Sequence, residues 1–121
     1  MIRWGSAVGS ALLLAACEAE VPAEHQIPGA DPRAGAVLIA QFGCGACHRV
    51  PGIPGAKGAV GPPLDGFGRR GYVAGRIPNV PDGLVRWLVD PKAIDSQTVM
   101  PRVGLDDDQA RHVAAYLYTL R

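Results

Sequence analysis

The chain has 121 residues and a formal net charge of +1 at pH 7, which allows one small domain and gives no sign of a nucleic-acid partner. It contains 16 Gly and 11 Pro but only two Phe, two Trp and three Tyr, so large core-forming side chains are scarce. A domain of this size buries only about 60 to 70% of its surface. We therefore expect a group other than side chains to contribute to the core.

The first residues have the pattern of an export signal. Arg3 is followed by an uncharged run from Ala7 to Ala16, too short for a membrane span of about 20 residues. The sequence Leu-Ala-Ala-Cys ending at Cys17 matches the bacterial lipoprotein signal, in which the cysteine is lipidated and becomes the first mature residue. We predict a signal peptide at 1–16 and a lipid anchor on Cys17, on the periplasmic side of a bacterial membrane. The alternative is an ordinary signal peptide with a spare thiol.

Residues 17–30 contain three Glu, two Pro and no apolar period, which is typical of a flexible tether. The predicted domain spans 31–121. It begins with a helix, because Asp31 suits the N-cap and Pro32 the first helical position. Apolar and small residues then keep helical spacing as far as the glycines near Cys44.

Residues 43–48 read Gly-Cys-Gly-Ala-Cys-His. A structural zinc site needs four ligands, and the chain has no second cysteine pair. A thiol–disulfide redox pair would need a βαβ context, and a disulfide between such close residues would constrain the chain little. The spacing suits covalent haem, because Cys44 and Cys47 can form thioethers with the two vinyl groups while His48 offers a ring nitrogen to the iron. We predict one haem c.

The second axial ligand is predicted to be Met100. It is the only methionine outside the predicted signal peptide, and Pro101 turns the chain directly after it. Without the haem motif a lone methionine would be read as core filler. His25 and His112 are weaker candidates, since the first falls in the predicted tether and the second on the solvated face of a predicted helix.

Two further helices are predicted beyond a loop region. Of the 35 residues from 49 to 83, 15 are Gly or Pro, and loops around a flat apolar group can bury surface without regular structure. Asp82 is expected to begin a helix capped by its own side chain, which Pro91 stops. Three acids at 106–108 are expected to cap the last helix rather than bind metal. Apolar residues there repeat at the helical period: Val113, Ala114, Leu117 and Leu120.

Several motifs in order resemble the class I c-type cytochromes with one haem. They are Gly35, CGACH, GPPLDGFGR at 61–69, WLVDP at 87–91 and MP at 100–101. The resemblance runs from about Asp31 to Arg121. It implies an all-α fold in which three to four short helices and long loops surround one haem. It also implies that Gly35 lies where the first and last helices cross.

The resemblance further implies roles for individual residues. The Pro62 carbonyl would accept a hydrogen bond from His48, and Trp87 would lie beside the methionine ligand. Arg69, helped by Tyr72, would neutralise a propionate. The full set of predicted cofactor-binding residues is Cys44, Cys47, His48, Pro62, Leu64, Arg69, Tyr72, Trp87, Leu88 and Met100. Other candidates for the lining are Phe67, Val73 and Ile77.

Iron with two protein ligands leaves no position for a substrate, which favours one-electron transfer over enzymatic activity. The stretch from Arg76 to Ile94, followed by MP, is similar to the cytochrome c domain fused to subunit II of haem-copper oxidases. This implies a donor to a terminal oxidase, or an oxidase subunit. The alternatives are the electron acceptor of a periplasmic dehydrogenase, a five-coordinate gas sensor or peroxidase-like enzyme, and a binding module with a structural haem.

The charges near the predicted haem are mostly positive. Between residues 43 and 102 there are eight basic and four acidic residues. A ring of arginines is expected to steer the protein towards an acidic redox partner, or in part to neutralise the propionates: Arg49, Arg69, Arg70, Arg76 and Arg102.

Overall fold

The computed structural model describes residues 20–121. Four α-helices lie in this part of the chain: α1 (Pro32–Gln41), α2 (Pro81–Val89), α3 (Pro91–Ile94) and α4 (Asp107–Thr119). Short 3₁₀ turns form at Ala23–His25, Cys44–Ala46 and Phe67–Arg69. Strands β1 (Tyr72–Val73) and β2 (Ile77–Pro78) form a small antiparallel hairpin in which Val73 pairs with Ile77. The predicted helical fold with long loops is confirmed, and the hairpin is an addition to it.

Helix α1 begins as predicted. The Asp31 side chain accepts a hydrogen bond from the Arg33 N–H at 2.8 Å, and Pro32 occupies the first turn. The helix ends at Gln41, and Gly43 adopts a left-handed conformation with φ 72°. The turn at this glycine places the two cysteines directly after the helix.

Helices α1 and α4 cross at Gly35. A Cβ atom at that position would lie 2.0 Å from the His112 carbonyl oxygen, so only glycine permits this approach. Ile39 on α1 is buried, as are Val113, Leu117 and Tyr118 on α4. The crossing that the resemblance implied is therefore present, and it forms the centre of the core.

Helix α4 has the acidic start that the sequence predicted. Asp106 and Gln109 form a reciprocal capping box, in which each side chain accepts the other residue's backbone N–H, at 2.8 and 3.0 Å. Between residues 20 and 121, no three His, Cys, Asp or Glu residues are grouped so that they could hold a metal ion. Asp106 thus caps α4, and Asp107 and Asp108 lie in its first turn, where negative charge favours the helix dipole.

The start of α2 differs from the prediction. The helix begins at Pro81, its N-cap is Val80, and no side chain caps it, so the assignment of Asp82 as a self-capping first residue is wrong. Proline at the first helical position lacks an N–H and therefore leaves one fewer donor to satisfy. Pro91 follows the end of α2 as predicted, but it also opens α3, which Asp90 caps by accepting the Ala93 N–H at 3.3 Å.

The predicted tether is corrected for residues 21–30, which pack on the domain. The His25 ring stacks on Tyr118 with centroids 4.1 Å apart, and its Nε2 lies 3.1 Å from the Asn79 carbonyl oxygen. Ile27 is part of the buried core, and Arg111 donates to the Pro28 carbonyl at 2.6 Å. Isolated contacts with residues far away in the chain hold this segment. Such contacts do not require a periodic pattern of apolar residues, so the sequence shows no sign of them. The signal peptide and Cys17 lie outside the described residues.

Candidate functional site

The two cysteines lie on one tight turn. The amides of Cys47 and His48 both donate to the Cys44 carbonyl, at 3.2 and 2.9 Å. Both thiols are free and half-buried, and burial raises the pKa of Cys44 above its usual value. The two sulfurs are thus held on the same turn, where they are available for thioether bonds.

The loop after the motif packs directly against this turn. The Gly58 amide donates to the Gly45 carbonyl at 3.0 Å. A Cβ on Gly45 would lie 2.7 Å from the Ala56 Cα, and one on Gly58 would lie 2.5 Å from the Cys47 carbonyl carbon. Backbone therefore lies against backbone at both glycines. The sequence alone predicted no role for either glycine, although Gly45 lies inside the Cys-Gly-Ala-Cys-His motif.

The imidazole of His48 is fixed on two sides. Its Nδ1 lies 2.7 Å from the Pro62 carbonyl oxygen, which can only accept, so in the neutral ring Nδ1 carries the proton and Nε2 keeps its lone pair. This is the hydrogen bond that the resemblance implied. Gly61 lies against the ring, because a Cβ there would be 2.4 Å from His48 Cε1. The role of Gly61 was missed, and its only sequence signal is its position directly before two prolines.

The apolar side chains predicted to line the haem come from several elements and lie in the hydrophobic core cluster. Trp87 and Leu88 on α2 are buried, at 7% and 6% exposure, while Leu64 and Met100 are half-buried and pack against the same core. The other predicted lining residues also belong to this cluster: Phe67, Val73 and Ile77. A covalent haem requires the groups that these residues supply: two thiols on one turn, an oriented imidazole with a bare nitrogen, a thioether and an apolar surface. The residues present therefore fit that cofactor.

Comparison with known proteins decides the family. The family model described as Cytochrome c matches residues 32–121. The chain belongs to the cytochrome c family. Membership implies a covalently bound haem c and a role in electron transfer.

The cytochrome also matches a curated protein in part. Over 88 residues it is 30% identical to the cytochrome c oxidase subunit 2 of Alkalihalophilus pseudofirmus. The match covers 72% of this chain and 25% of that protein, so the chain spans about a quarter of the length of its relative. Both parts of the predicted resemblance, to c-type cytochromes and to the cytochrome c domain of oxidase subunit II, are confirmed.

Two predicted haem contacts lie at the surface of the cytochrome. Tyr72 is 64% exposed, and Arg69 is exposed beside an open cavity of about 410 Å³ that Asp65 and Arg121 also line. The structure thus places Arg69 near the carboxyl terminus. The assignment of Arg69 and Tyr72 to a propionate stays a prediction.

The ring of arginines is largely neutralised within the cytochrome. Three of its five members pair with aspartates, at nitrogen–oxygen distances of 2.9 Å for Arg49 with Asp65, 3.1 Å for Arg76 with Asp95 and 3.4 Å for Arg102 with Asp90. The pairing with Arg49 lowers the pKa of the Asp65 carboxyl, mainly through the hydrogen bond. The positive excess is carried by other residues, including Arg69 and Arg70. Counting charges along the sequence gives this excess, but it does not reveal which charges are paired.

Proposed function

We propose that this protein is a one-electron carrier whose haem c is attached through Cys44 and Cys47 and whose iron is bound by His48 and Met100. The observation that carries the proposal is the His48–Pro62 hydrogen bond of 2.7 Å, which leaves Nε2 as the bare nitrogen. When bound, the haem supplies the iron that alternates between two oxidation states. Two protein ligands leave no iron position open to a substrate.

The residues of the chain set the properties of this site. The Pro62 carbonyl fixes the tautomer of His48 and increases its basicity, while Gly61 keeps the ring in one orientation. Met100 offers a thioether, which favours ferrous iron and raises the reduction potential. Its backbone N–H donates to the Thr98 hydroxyl at 3.2 Å. The apolar lining keeps water from the site, which further favours the state with less charge on the iron.

Replacement of Met100 tests the ligand assignment. The variant Met100→Ala should keep its haem but lose the weak red-edge absorption band of a sulfur–iron bond, bind carbon monoxide when reduced and have a lower potential. The matched control is Val99→Ala, since Val99 is 84% exposed and adjacent in sequence. An unchanged potential with no carbon monoxide binding in Met100→Ala would refute the ligand. Ready binding of carbon monoxide by the wild type would favour a sensor or enzyme instead.

We further propose that Cys17 carries a lipid that anchors the cytochrome to the periplasmic side of a bacterial membrane. The support is the lipoprotein pattern of the sequence. Within residues 20–121 no helix is long and apolar enough to cross a bilayer. The variant Cys17→Ser should appear as soluble red protein in the periplasm. Its retention in the membrane would contradict the anchor.

The proposed partner is a terminal haem-copper oxidase, to which the protein donates electrons or in which it is a subunit. The support is the match to a cytochrome c oxidase subunit 2. Reduced wild-type protein should be oxidised rapidly by a purified haem-copper oxidase. If no oxidase accepts its electrons while a periplasmic dehydrogenase reduces it quickly, the dehydrogenase assignment replaces this one.

A further inference from the structure

Two aspartates at opposite ends of α3 each hold an arginine from a different part of the chain. Asp90 is the N-cap of this helix and Asp95 its C-cap. Arg76, in the hairpin turn between β1 and β2, donates to Asp95 at 3.1 Å. Arg102, two residues beyond Met100, donates to Asp90 at 3.4 Å.

Asp95 connects the hairpin to Met100 through consecutive hydrogen bonds. Its side chain is 17% exposed, and besides the Arg76 guanidinium it accepts the Gln97 N–H at 3.0 Å. Its backbone carbonyl accepts the Thr98 N–H at 3.1 Å, and the Thr98 hydroxyl accepts the Met100 N–H at 3.2 Å. The backbone just before the methionine is therefore fixed to the end of α3 and to the hairpin.

Asp90 fixes the chain on the other side of Met100. One of its oxygens caps α3, and the other receives Arg102. Residues 98–106 form no helix or strand, so regular structure does not hold the methionine in place. The Arg102–Asp90 pair thus holds the irregular segment to the start of α3. The Arg76–Asp95 pair fixes the end of α3, from which the segment leaves, to the hairpin.

We propose that the pairs Arg76–Asp95 and Arg102–Asp90 position Met100 as the axial ligand. This inference rests on the proposed function, since it presupposes that Met100 binds the iron. The pairs restrict the segment around the methionine and thereby oppose its movement away from the iron. Exposed ion pairs typically change an equilibrium by up to about 5-fold. Their loss is therefore expected to increase the frequency of ligand departure without abolishing ligation.

Imidazole binding to the oxidised protein measures this departure, because imidazole can bind the iron only after Met100 leaves. The variants are Arg76→Gln, Arg102→Gln and the double variant, which keep both aspartates and hence the caps of α3. The control is Arg33→Gln, which breaks the exposed pair between Arg33 and Asp31 at the start of α1, at 3.3 Å. Each single variant should bind imidazole about 3- to 5-fold more tightly than the wild type, and the double variant about 10- to 20-fold more tightly. The control should match the wild type.

The outcomes separate this inference from the proposed function. A wild-type protein without the sulfur–iron band would overturn the ligation by Met100 and this inference with it. A wild type that shows the band, with Arg76→Gln and Arg102→Gln binding imidazole no more tightly than the control, would overturn the positioning role alone. The variant Arg76→Lys, which restores the charge, should recover most of the wild-type imidazole affinity. If Arg76→Lys instead binds imidazole as tightly as Arg76→Gln, the result would contradict an ionic origin of the effect.

Discussion

Adding a single methyl group at the crossing of α1 and α4 should destabilise the cytochrome. In Gly35→Ala the new Cβ would lie 2.0 Å from the His112 carbonyl oxygen and 3.0 Å from the Tyr116 Cβ. The nearest neighbour is backbone in the middle of α4, which cannot move aside as a flexible side chain would. The two helices must therefore separate by roughly 1 Å or more, and the core between them loses contact.

Two opposing effects determine the size of the change. Alanine favours the helical state over glycine by about 1 kcal/mol. Overpacking of a well-filled core costs about 1–3 kcal/mol, and the upper value applies here because backbone must move. The expected net result is a loss of about 2 kcal/mol in the free energy of unfolding. At a helix position with free space around it, the same substitution would be stabilising. The sign of the change in the free energy of unfolding therefore distinguishes a close helix contact from an open position.

Guanidinium chloride unfolding of the haem-containing protein measures this free energy. Ala40→Gly is the matched control, since Ala40 is exposed on the same helix and reports the helix preference without a clash, at about 1 kcal/mol of destabilisation. Gly71→Ala should have little effect, because no atom lies within 4 Å of the place where its Cβ would be. An unchanged or increased stability of Gly35→Ala would refute the close helix contact.

Three further predictions concern other local features and use the same unfolding measurement. Ala74→Asn should stabilise the protein by about 1 kcal/mol, because φ is +51° at Ala74 and asparagine tolerates this region; lower stability would contradict this. Tyr118→Phe should cost about 1–2 kcal/mol at pH 7, since the buried hydroxyl donates to Asn79 at 3.2 Å. Burial raises the pKa of Tyr118 above its usual value of 10.0, so its contribution is complete below pH 10 and declines as the pH rises further. The Phe variant should therefore lose less stability between pH 10 and 11 than the wild type, and equal losses would argue against this linkage. Asp106→Ala should cost about 1 kcal/mol by removing the N-cap of α4, whereas Asp108→Ala should cost less; the reverse order would contradict the capping box.

Some features of this protein follow from the sequence because they depend on neighbouring residues. The two thiols and the imidazole of Cys44, Cys47 and His48 lie within five positions, so one turn of chain brings them together in almost any fold. The start of α1 at Asp31 and that of α4 at Asp106 are likewise set by side chains that bond to amides two or three residues away. Local geometry gives such signals, and the predicted starts of α1 and α4 agree with the structure, whereas the cap assigned to Asp82 at α2 does not.

Other features depend on residues far apart in the chain, and only the tertiary structure decided them. His25 reads as part of a tether until it stacks on Tyr118, and the Arg49, Arg76 and Arg102 charges read as free until each meets its aspartate. Gly61 has no visible role until the ring of His48 lies against it. Each contact forms only when packing of the core brings two distant segments together, and no short stretch of sequence shows which segments will meet. The sequence therefore determined which groups are available for haem attachment, whereas tertiary packing decided how the His48 imidazole is oriented and which charges remain unpaired.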